Sequence, residues 1–190
     1  MRRAFIIIFT AVTSLLFSGS VSLAQSGIYW EDLSAERQNA IISSNDIDPI
    51  VLDFFNGKRF PSDDEATFDY LGILVSKTDV DELKALYFYL LNRVAYKSDG
   101  ALSETMGSYL YRFLMNCPQY VFEYLCGNEE FWKVYVSHIG YELSFNPYGE
   151  GLNKEFLEMN EHVGARIDPE LKEKWQLFTA AILVEIENCD

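Results

Sequence analysis

The chain has 190 residues, of which 29 are acidic and 15 are basic, so its formal net charge at pH 7 is −14. Such a charge repels nucleic acids and anionic membrane surfaces, which argues against a nucleic-acid-binding protein and favours a basic protein partner. The length fits a single domain with a hydrophobic core and leaves little room for a second domain.

The N-terminal segment has the pattern of a secretory signal peptide. Arg2 and Arg3 precede an uncharged run at 4–17, and Ser22 and Ala24 flank Leu23 in the small-x-small arrangement that a signal peptidase cleaves. We therefore expect residues 1–24 to be removed, leaving one all-α domain at 25–190 in the periplasm or the secreted fraction. That domain would keep 13 basic and 29 acidic residues, a formal net charge of −16.

Two alternatives to cleavage by the general signal peptidase stay open. The uncharged segment 4–24 is nearly long enough to span a bilayer and could remain as an anchor, although its serines weaken its apolar character. The residues at 2–5 also loosely resemble a twin-arginine signal. Because no cysteine lies near Ala24, we do not expect a lipoprotein. Since cleavage would remove the apolar segment, we also expect no membrane insertion after it.

Beyond Ser26, apolar residues recur at intervals of three and four, which predicts helices almost throughout the chain. We expect an all-α fold of eight or nine antiparallel helices, either as a compact bundle or as a short HEAT-like stack of helical hairpins. The predicted helix starts, in chain order, are Ser34, Asp48-Pro49, Ser62 with Glu65 as a capping box, Asp79, Gly100, Pro118, Asn128, Leu152 and Asp168-Pro169.

Three local patterns predict how these helices are arranged. The helix after Asp79 is apolar around its whole circumference from Ala85 to Leu91, so we expect it at the centre of the fold. Gly107 lies at the edge of an apolar stripe and would let a neighbouring helix approach closely. The segment 146–151 contains one proline and two glycines without an apolar period, and we expect it to be a loop.

The three cysteines, Cys117, Cys126 and Cys189, can form at most one intramolecular disulfide. An exported protein meets an oxidising environment, which permits a bridge. A helix between Cys117 and Cys126 would hold their Cα atoms roughly 13 Å apart, beyond the limit of about 7 Å for a disulfide. A pair that includes Cys189 is less constrained, so the sequence leaves open whether a disulfide forms.

Tyrosines suggest a recognition surface, because many of them lie off the apolar stripes on which the phenylalanines fall. Tyr120 and Tyr124 flank Glu123, and Glu129 and Glu130 follow closely. Half-exposed tyrosines beside carboxylates are typical of binding surfaces, so we predict that these five residues form a binding site. The alternative is that the tyrosines only fill the edges between packed helices.

This composition predicts a non-enzymatic protein-binding module of the cell envelope, comparable in class to exported inhibitors and immunity proteins. The alternative function is a small glycan-binding or glycan-hydrolysing module that uses carboxylates and aromatic side chains between Glu123 and Tyr141. No motif indicates a cofactor, and no G-x-S-x-G or C-x-x-C sequence points to nucleophilic or redox catalysis.

A weaker hypothesis concerns a metal ion. Glu155, Glu158 and His162 fall on one flank of the helix predicted from Leu152, and Glu158 and His162 are one turn apart, a spacing that can hold a divalent cation. Such a site would need further ligands from another helix, and a solvated charged flank explains the same pattern. The other histidine, His138, is expected to be a partly buried structural residue.

Overall fold

The computed structural model describes residues 27–76, 81–145 and 154–189. Within these ranges the chain forms nine closely packed α-helices, two short 3-10 helices and no strand, so the all-α prediction is confirmed. The α-helices are α1 (Ala35–Ile42), α2 (Pro49–Phe55), α3 (Glu65–Ser76), α4 (Asp81–Lys97), α5 (Gly100–Asn116), α6 (Pro118–Gly127), α7 (Glu129–Ser144), α8 (Lys154–Gly164) and α9 (Lys172–Cys189). The 3-10 helices are Trp30–Asp32 and Pro169–Leu171.

The predicted starts of the first two helices are confirmed by their capping hydrogen bonds. Ser34 accepts a hydrogen bond from the backbone N–H of Arg37 at 3.3 Å, and Asp48 accepts one from that of Ile50 at 3.0 Å. These bonds satisfy N–H groups that have no partner within the helix. After α2, Gly57 adopts a φ of 70°, a left-handed conformation that glycine tolerates best and that ends the helix.

Two other predicted starts differ from the structure. The N-cap of α3 is Asp64, which accepts a hydrogen bond from the N–H of Thr67 at 2.8 Å, whereas Ser62 donates its hydroxyl to Asp64. Asp168 leads into the 3-10 helix Pro169–Leu171 rather than directly into α9, and its side chain makes no capping bond. The predicted starts at Asp79 and Leu152 and the predicted loop at 146–151 lie outside the described residues.

The helix α4 lies at the centre of the fold, as its apolar circumference predicts. It contacts α3, α5, α7 and the 3-10 helix Trp30–Asp32. Its own side chains from Ala85 to Phe88, which lie on all sides of the helix, are at most 2% exposed. The amide of Asn92 is also buried in α4, where its oxygen accepts a hydrogen bond at 3.0 Å from the Tyr135 hydroxyl of α7.

The helix α7 packs against both α5 and α9, and a glycine brings it close to each of them. A Cβ atom at Gly107 of α5 would overlap the backbone oxygen of His138 and lie 2.6 Å from the Cβ of Glu142. A Cβ atom at Gly140 of α7 would overlap the Cβ of Glu185 in α9. The predicted close approach at Gly107 is therefore confirmed. A second close approach at a glycine, Gly140, brings α7 and α9 together.

The three cysteines are free thiols. Burial raises the pKa of the Cys126 thiol to about 11, so this side chain stays protonated at neutral pH and packs as a small apolar group. Cys117 is half-buried and Cys189 is exposed. In the parts of the chain that the structure describes, the helices fall short of the length and apolar character needed to cross a bilayer.

Gly107→Ala is expected to lower the free energy of unfolding by about 1–3 kcal/mol, because the added methyl group overpacks the contact between α5 and α7. Gly72 in α3 is the matched control, since nothing lies within 4 Å of its Cβ position. Gly72→Ala should raise the free energy of unfolding by about 0.5–1 kcal/mol through its higher helix propensity. Chemical denaturation measures both variants, and equal stability of the two would contradict the close contact.

Candidate functional site

The five predicted binding residues do not form one exposed surface. Tyr120 and Glu123 are each 8% exposed and Tyr124 is 7% exposed, whereas Glu129 and Glu130 are exposed at the start of α7. The expectation that Tyr120 and Tyr124 are half-exposed is therefore wrong. The physical reason is that α6 is buried around its whole circumference between these two tyrosines, partly beneath the chain segment 27–32.

Two reciprocal hydrogen bonds attach the segment 27–32 to α6. The Tyr29 hydroxyl donates to the backbone oxygen of Tyr120 at 2.9 Å, and the Tyr120 hydroxyl donates to that of Ile28 at 2.9 Å. The two rings have centroids 4.7 Å apart, and a Cβ atom at Gly27 would lie 2.7 Å from the Tyr120 ring. Burial raises the pKa of both hydroxyls, so they remain donors at neutral pH. We call Tyr29 and Tyr120 the tyrosine clamp.

The carboxylates near the clamp have structural partners. The side-chain amide of Gln119 donates to Glu123 and also to Asp168, the latter at 2.7 Å, and Gln119 accepts a hydrogen bond from the Asp168 N–H at 2.7 Å. Gln119 thereby joins α6 to the chain just before the 3-10 helix Pro169–Leu171. At the surface, Glu129 forms an ion pair with Lys133 at 2.8 Å, and Glu130 accepts a hydrogen bond from Tyr96 at 2.6 Å.

Two of the three residues of the metal hypothesis contact partners other than each other. The Nε2 atom of His162 lies 2.9 Å from the backbone oxygen of Met115, and Glu158 forms an exposed ion pair with Lys154 at 3.3 Å. Glu155 is exposed on α8. Among the described residues, no three histidine, cysteine or carboxylate side chains are grouped so that they could hold a metal ion.

His138 connects the end of α4 to the start of α5. Its Nδ1 lies 3.1 Å from the backbone oxygen of Ser103, and its Nε2 lies 3.3 Å from that of Ala95. Burial lowers the pKa of the imidazole, although both carbonyl groups oppose this effect. A neutral ring has one N–H and donates to one of the two carbonyl groups at a time. The imidazole therefore spans the turn 98–100 between these helices.

A cavity of about 660 Å³ lies beside this turn. It is bounded by the end of α2, the segment 57–63, Tyr70 of α3, the last two turns of α4 and the first turn of α5. The apolar residues that line it are Phe54, Phe55, Phe60, Pro61, Tyr70, Leu90, Val94, Ala101 and Leu102. We call it the aromatic–basic cavity, because cationic side chains also line it.

The aromatic wall is built mainly by α2 and α3. The rings of Phe54 and Tyr70 stack with centroids 4.1 Å apart and planes at 15°. Phe55 packs edge-on against Trp30 at 6.1 Å, which anchors the end of α2 to the 3-10 helix. Phe60, from the segment 57–63, is 78% exposed. Most of the Phe60 ring is therefore uncovered at the lining of the cavity.

The charged groups of the aromatic–basic cavity are Arg59, Arg93 and Lys97 together with the carboxylates of Asp63 and Asp99. The Nε of Arg59 lies 3.9 Å from a carboxylate oxygen of Asp53 outside the cavity. Arg93 lies over the ring of Tyr89, with its guanidinium carbon 5.6 Å from the ring centroid. Within the described ranges neither Arg93 nor Lys97 forms an ion pair with a carboxylate.

Sequence reasoning missed this cavity, because Phe54 and Phe55 fall on an apolar stripe that predicts core packing and Phe60 lies in a segment without helical periodicity. One signal could have indicated it: a strongly acidic chain places several of its few basic residues at 58–59 and 93–97. Comparisons with protein-family models, with curated proteins and with solved structures find no match for this chain.

Removing the Tyr120 hydroxyl by Tyr120→Phe is expected to lower the free energy of unfolding by about 1 kcal/mol, the usual value of one hydrogen bond. Tyr120→Ala also removes the buried ring and should cost about 3–5 kcal/mol. Tyr96 is 51% exposed and serves as the control, since Tyr96→Phe should change stability by less than about 0.5 kcal/mol. Urea denaturation of the three variants tests the clamp, and wild-type stability of Tyr120→Ala would exclude it.

Proposed function

We propose that this chain is a non-enzymatic, exported binding module whose ligand occupies the aromatic–basic cavity. The observation that carries the proposal is the cavity itself, with a volume of about 660 Å³ and with aromatic and cationic side chains on the same lining. Sites for small ligands commonly have volumes of about 300–1,000 Å³, with mostly apolar walls and a few polar groups that orient the ligand. The aromatic–basic cavity has this combination.

The chemistry of the lining supports binding rather than turnover. None of the described residues that line the cavity is a histidine or a cysteine. The serine hydroxyls of the lining donate to other groups, that of Ser62 to the Asp64 carboxylate and that of Ser98 to the backbone oxygen of Ala95. A serine nucleophile is normally activated by an adjacent base that is itself oriented by a third group. The cationic and aromatic side chains are groups that hold a ligand in place.

We also propose that the acidic surface engages a basic protein partner. The exposed pair Glu129 and Glu130 at the start of α7 supports this idea, as does the formal net charge of −14. The signal-peptide pattern at 1–24 supports an envelope or secreted location, which suits an inhibitor-like or immunity-like role. The glycan-directed alternative loses two of its candidate groups, because Glu123 and Tyr124 are buried.

For the arrangement of the helices we propose antiparallel neighbours that stack in the manner of helical hairpins. Single residues, Cys117 and Asn128, connect α5 to α6 and α6 to α7, which forces sharp reversals or bends. The packing of α7 against both α5 and α9 supports the stack, because alternate helices are neighbours in arrays of hairpins.

The cavity is tested with Nile red, a neutral apolar dye whose fluorescence reports binding. We expect the wild-type chain to bind it, and we expect Ala101→Trp, which places an indole in the lining, to weaken binding by about tenfold, or about 1.4 kcal/mol. Ala180→Trp is the matched control, since Ala180 is likewise exposed on a helix but does not line the cavity. Absence of dye binding, or equal binding by both variants, would overturn the proposed site.

The acidic surface is tested by affinity capture from an envelope extract at two ionic strengths. Capture of a basic protein should weaken steeply as salt shortens the Debye length from about 10 Å at 0.1 M to about 3 Å at 1 M. Replacing Glu129 and Glu130 by lysine should abolish capture, whereas the same change at the exposed Glu170 and Glu173 should preserve it. Capture that resists salt, or that both double variants retain, would contradict a charge-steered partner at this surface.

A further inference from the structure

We infer that the ligand of the aromatic–basic cavity is an apolar organic acid with a single carboxylate, bound head-first to Arg93 and Lys97. This inference rests on the proposed binding function of the cavity and specifies the chemical class of the ligand. Three observations support it: the aromatic wall, the cationic pair on α4 and the balance of charges around the lining.

The aromatic wall selects an apolar body. Phe54 and Phe55 are only half-buried, and Phe60 is 78% exposed, so part of their ring surface is open to solvent at the cavity. Burying this surface against an alkyl or aryl group is favourable by about 25 cal/mol for each Å² removed from water. The stacked pair of Phe54 and Tyr70 gives this wall a fixed shape.

The cationic pair selects an anionic head group. Arg93 and Lys97 are one turn apart on α4, so both side chains leave the same face of the helix. Arg93 is positioned over the Tyr89 ring, and its planar guanidinium can give a carboxylate two parallel hydrogen bonds. Within the described ranges neither cation pairs with a carboxylate, although the chain has 29 acidic and only 15 basic residues.

The other charged groups of the lining limit the ligand to one negative charge. Arg59 is the third cation and lies near Asp53, whereas Asp63 and Asp99 place two carboxylates on the same lining. A ligand with two anionic groups would bring its second charge towards these carboxylates, where like charges repel. The first turn of α5 also borders the cavity, and its backbone N–H groups add a smaller positive field to that of the two side chains.

The experiment compares three ligands with the same alkyl chain: dodecanoate, dodecanol and dodecyltrimethylammonium. Each competes with Nile red for the full chain, at concentrations below micelle formation for the two ionic ligands and below the solubility limit for dodecanol. We expect dodecanoate to bind about tenfold more tightly than dodecanol, which corresponds to about 1.4 kcal/mol, and dodecyltrimethylammonium to bind least tightly.

The assignment of the head group is tested by Arg93→Met with Lys97→Met. This double variant should bind dodecanoate and dodecanol equally, with the affinity for dodecanol unchanged. The control combines Arg112→Met with Lys133→Met, which removes one arginine and one lysine from exposed positions outside the cavity and changes the net charge equally. The control should retain the preference for dodecanoate. Lys97→Met alone, at an exposed position, should reduce the preference about threefold, or about 0.7 kcal/mol.

The outcomes separate this inference from the proposed function. Equal binding of dodecanoate and dodecanol by the wild-type chain would overturn the organic-acid ligand and leave the cavity as a binding site. If neither Nile red nor any of the three ligands binds, both the organic-acid ligand and the proposed binding function of the cavity are overturned. A preference for dodecanoate that survives in the Arg93 and Lys97 variants would remove these two residues from the site. Lower stability of these variants with an unchanged preference would assign them a structural role at the end of α4.

Discussion

The close contact between α5 and α7 at Gly107 is the constraint on which the site depends. Because no side chain separates the helices there, the backbone of His138 touches α5. The imidazole of the same residue then lies within hydrogen-bonding distance of the carbonyl groups of Ala95 and Ser103, on either side of the turn 98–100. This turn forms one wall of the aromatic–basic cavity. A helix that contributes nothing to the lining therefore positions part of it.

The sequence predicted those parts of the fold that depend on neighbouring residues. The apolar circumference of α4 and the helix starts at Ser34 and Asp48 follow from local patterns and agree with the structure. The cap of α3 shows the limit of such patterns. Ser62 and Asp64 are both suitable N-cap residues, and only the geometry shows that Asp64 occupies the N-cap position. The close contact at Gly107 was predictable, because a glycine at the edge of an apolar stripe lacks the side chain that would hold the next helix away.

The candidate site was much less predictable, because it depends on contacts between distant parts of the chain. Tyr29 and Tyr120 are 91 residues apart, and nothing near α6 in the sequence indicates that the segment 27–32 returns to cover it. The periodicity of α6 therefore predicted a half-exposed edge that the fold buries. The cavity brings together residues from α2 to α5, and Phe54 and Arg93 differ little in the sequence from an ordinary core residue and an ordinary surface residue.

The proposed acidic surface and the aromatic–basic cavity make opposite electrostatic demands, and the two proposed interactions differ in the range over which they act. An organic acid that binds as proposed would meet the field of a formal net charge of −14 and would be attracted at short range by the cations of the cavity, Arg93 and Lys97 above all. Salt screens the long-range repulsion at separations beyond the Debye length of about 10 Å at 0.1 M, whereas it affects contacts in a partly enclosed cavity less. Added salt should therefore disfavour a basic partner on the surface while sparing an organic acid in the cavity. Ionic strength alone can thus distinguish the two proposed binding functions, because the attraction of a basic partner acts over a longer range than the contacts of an organic acid in the cavity.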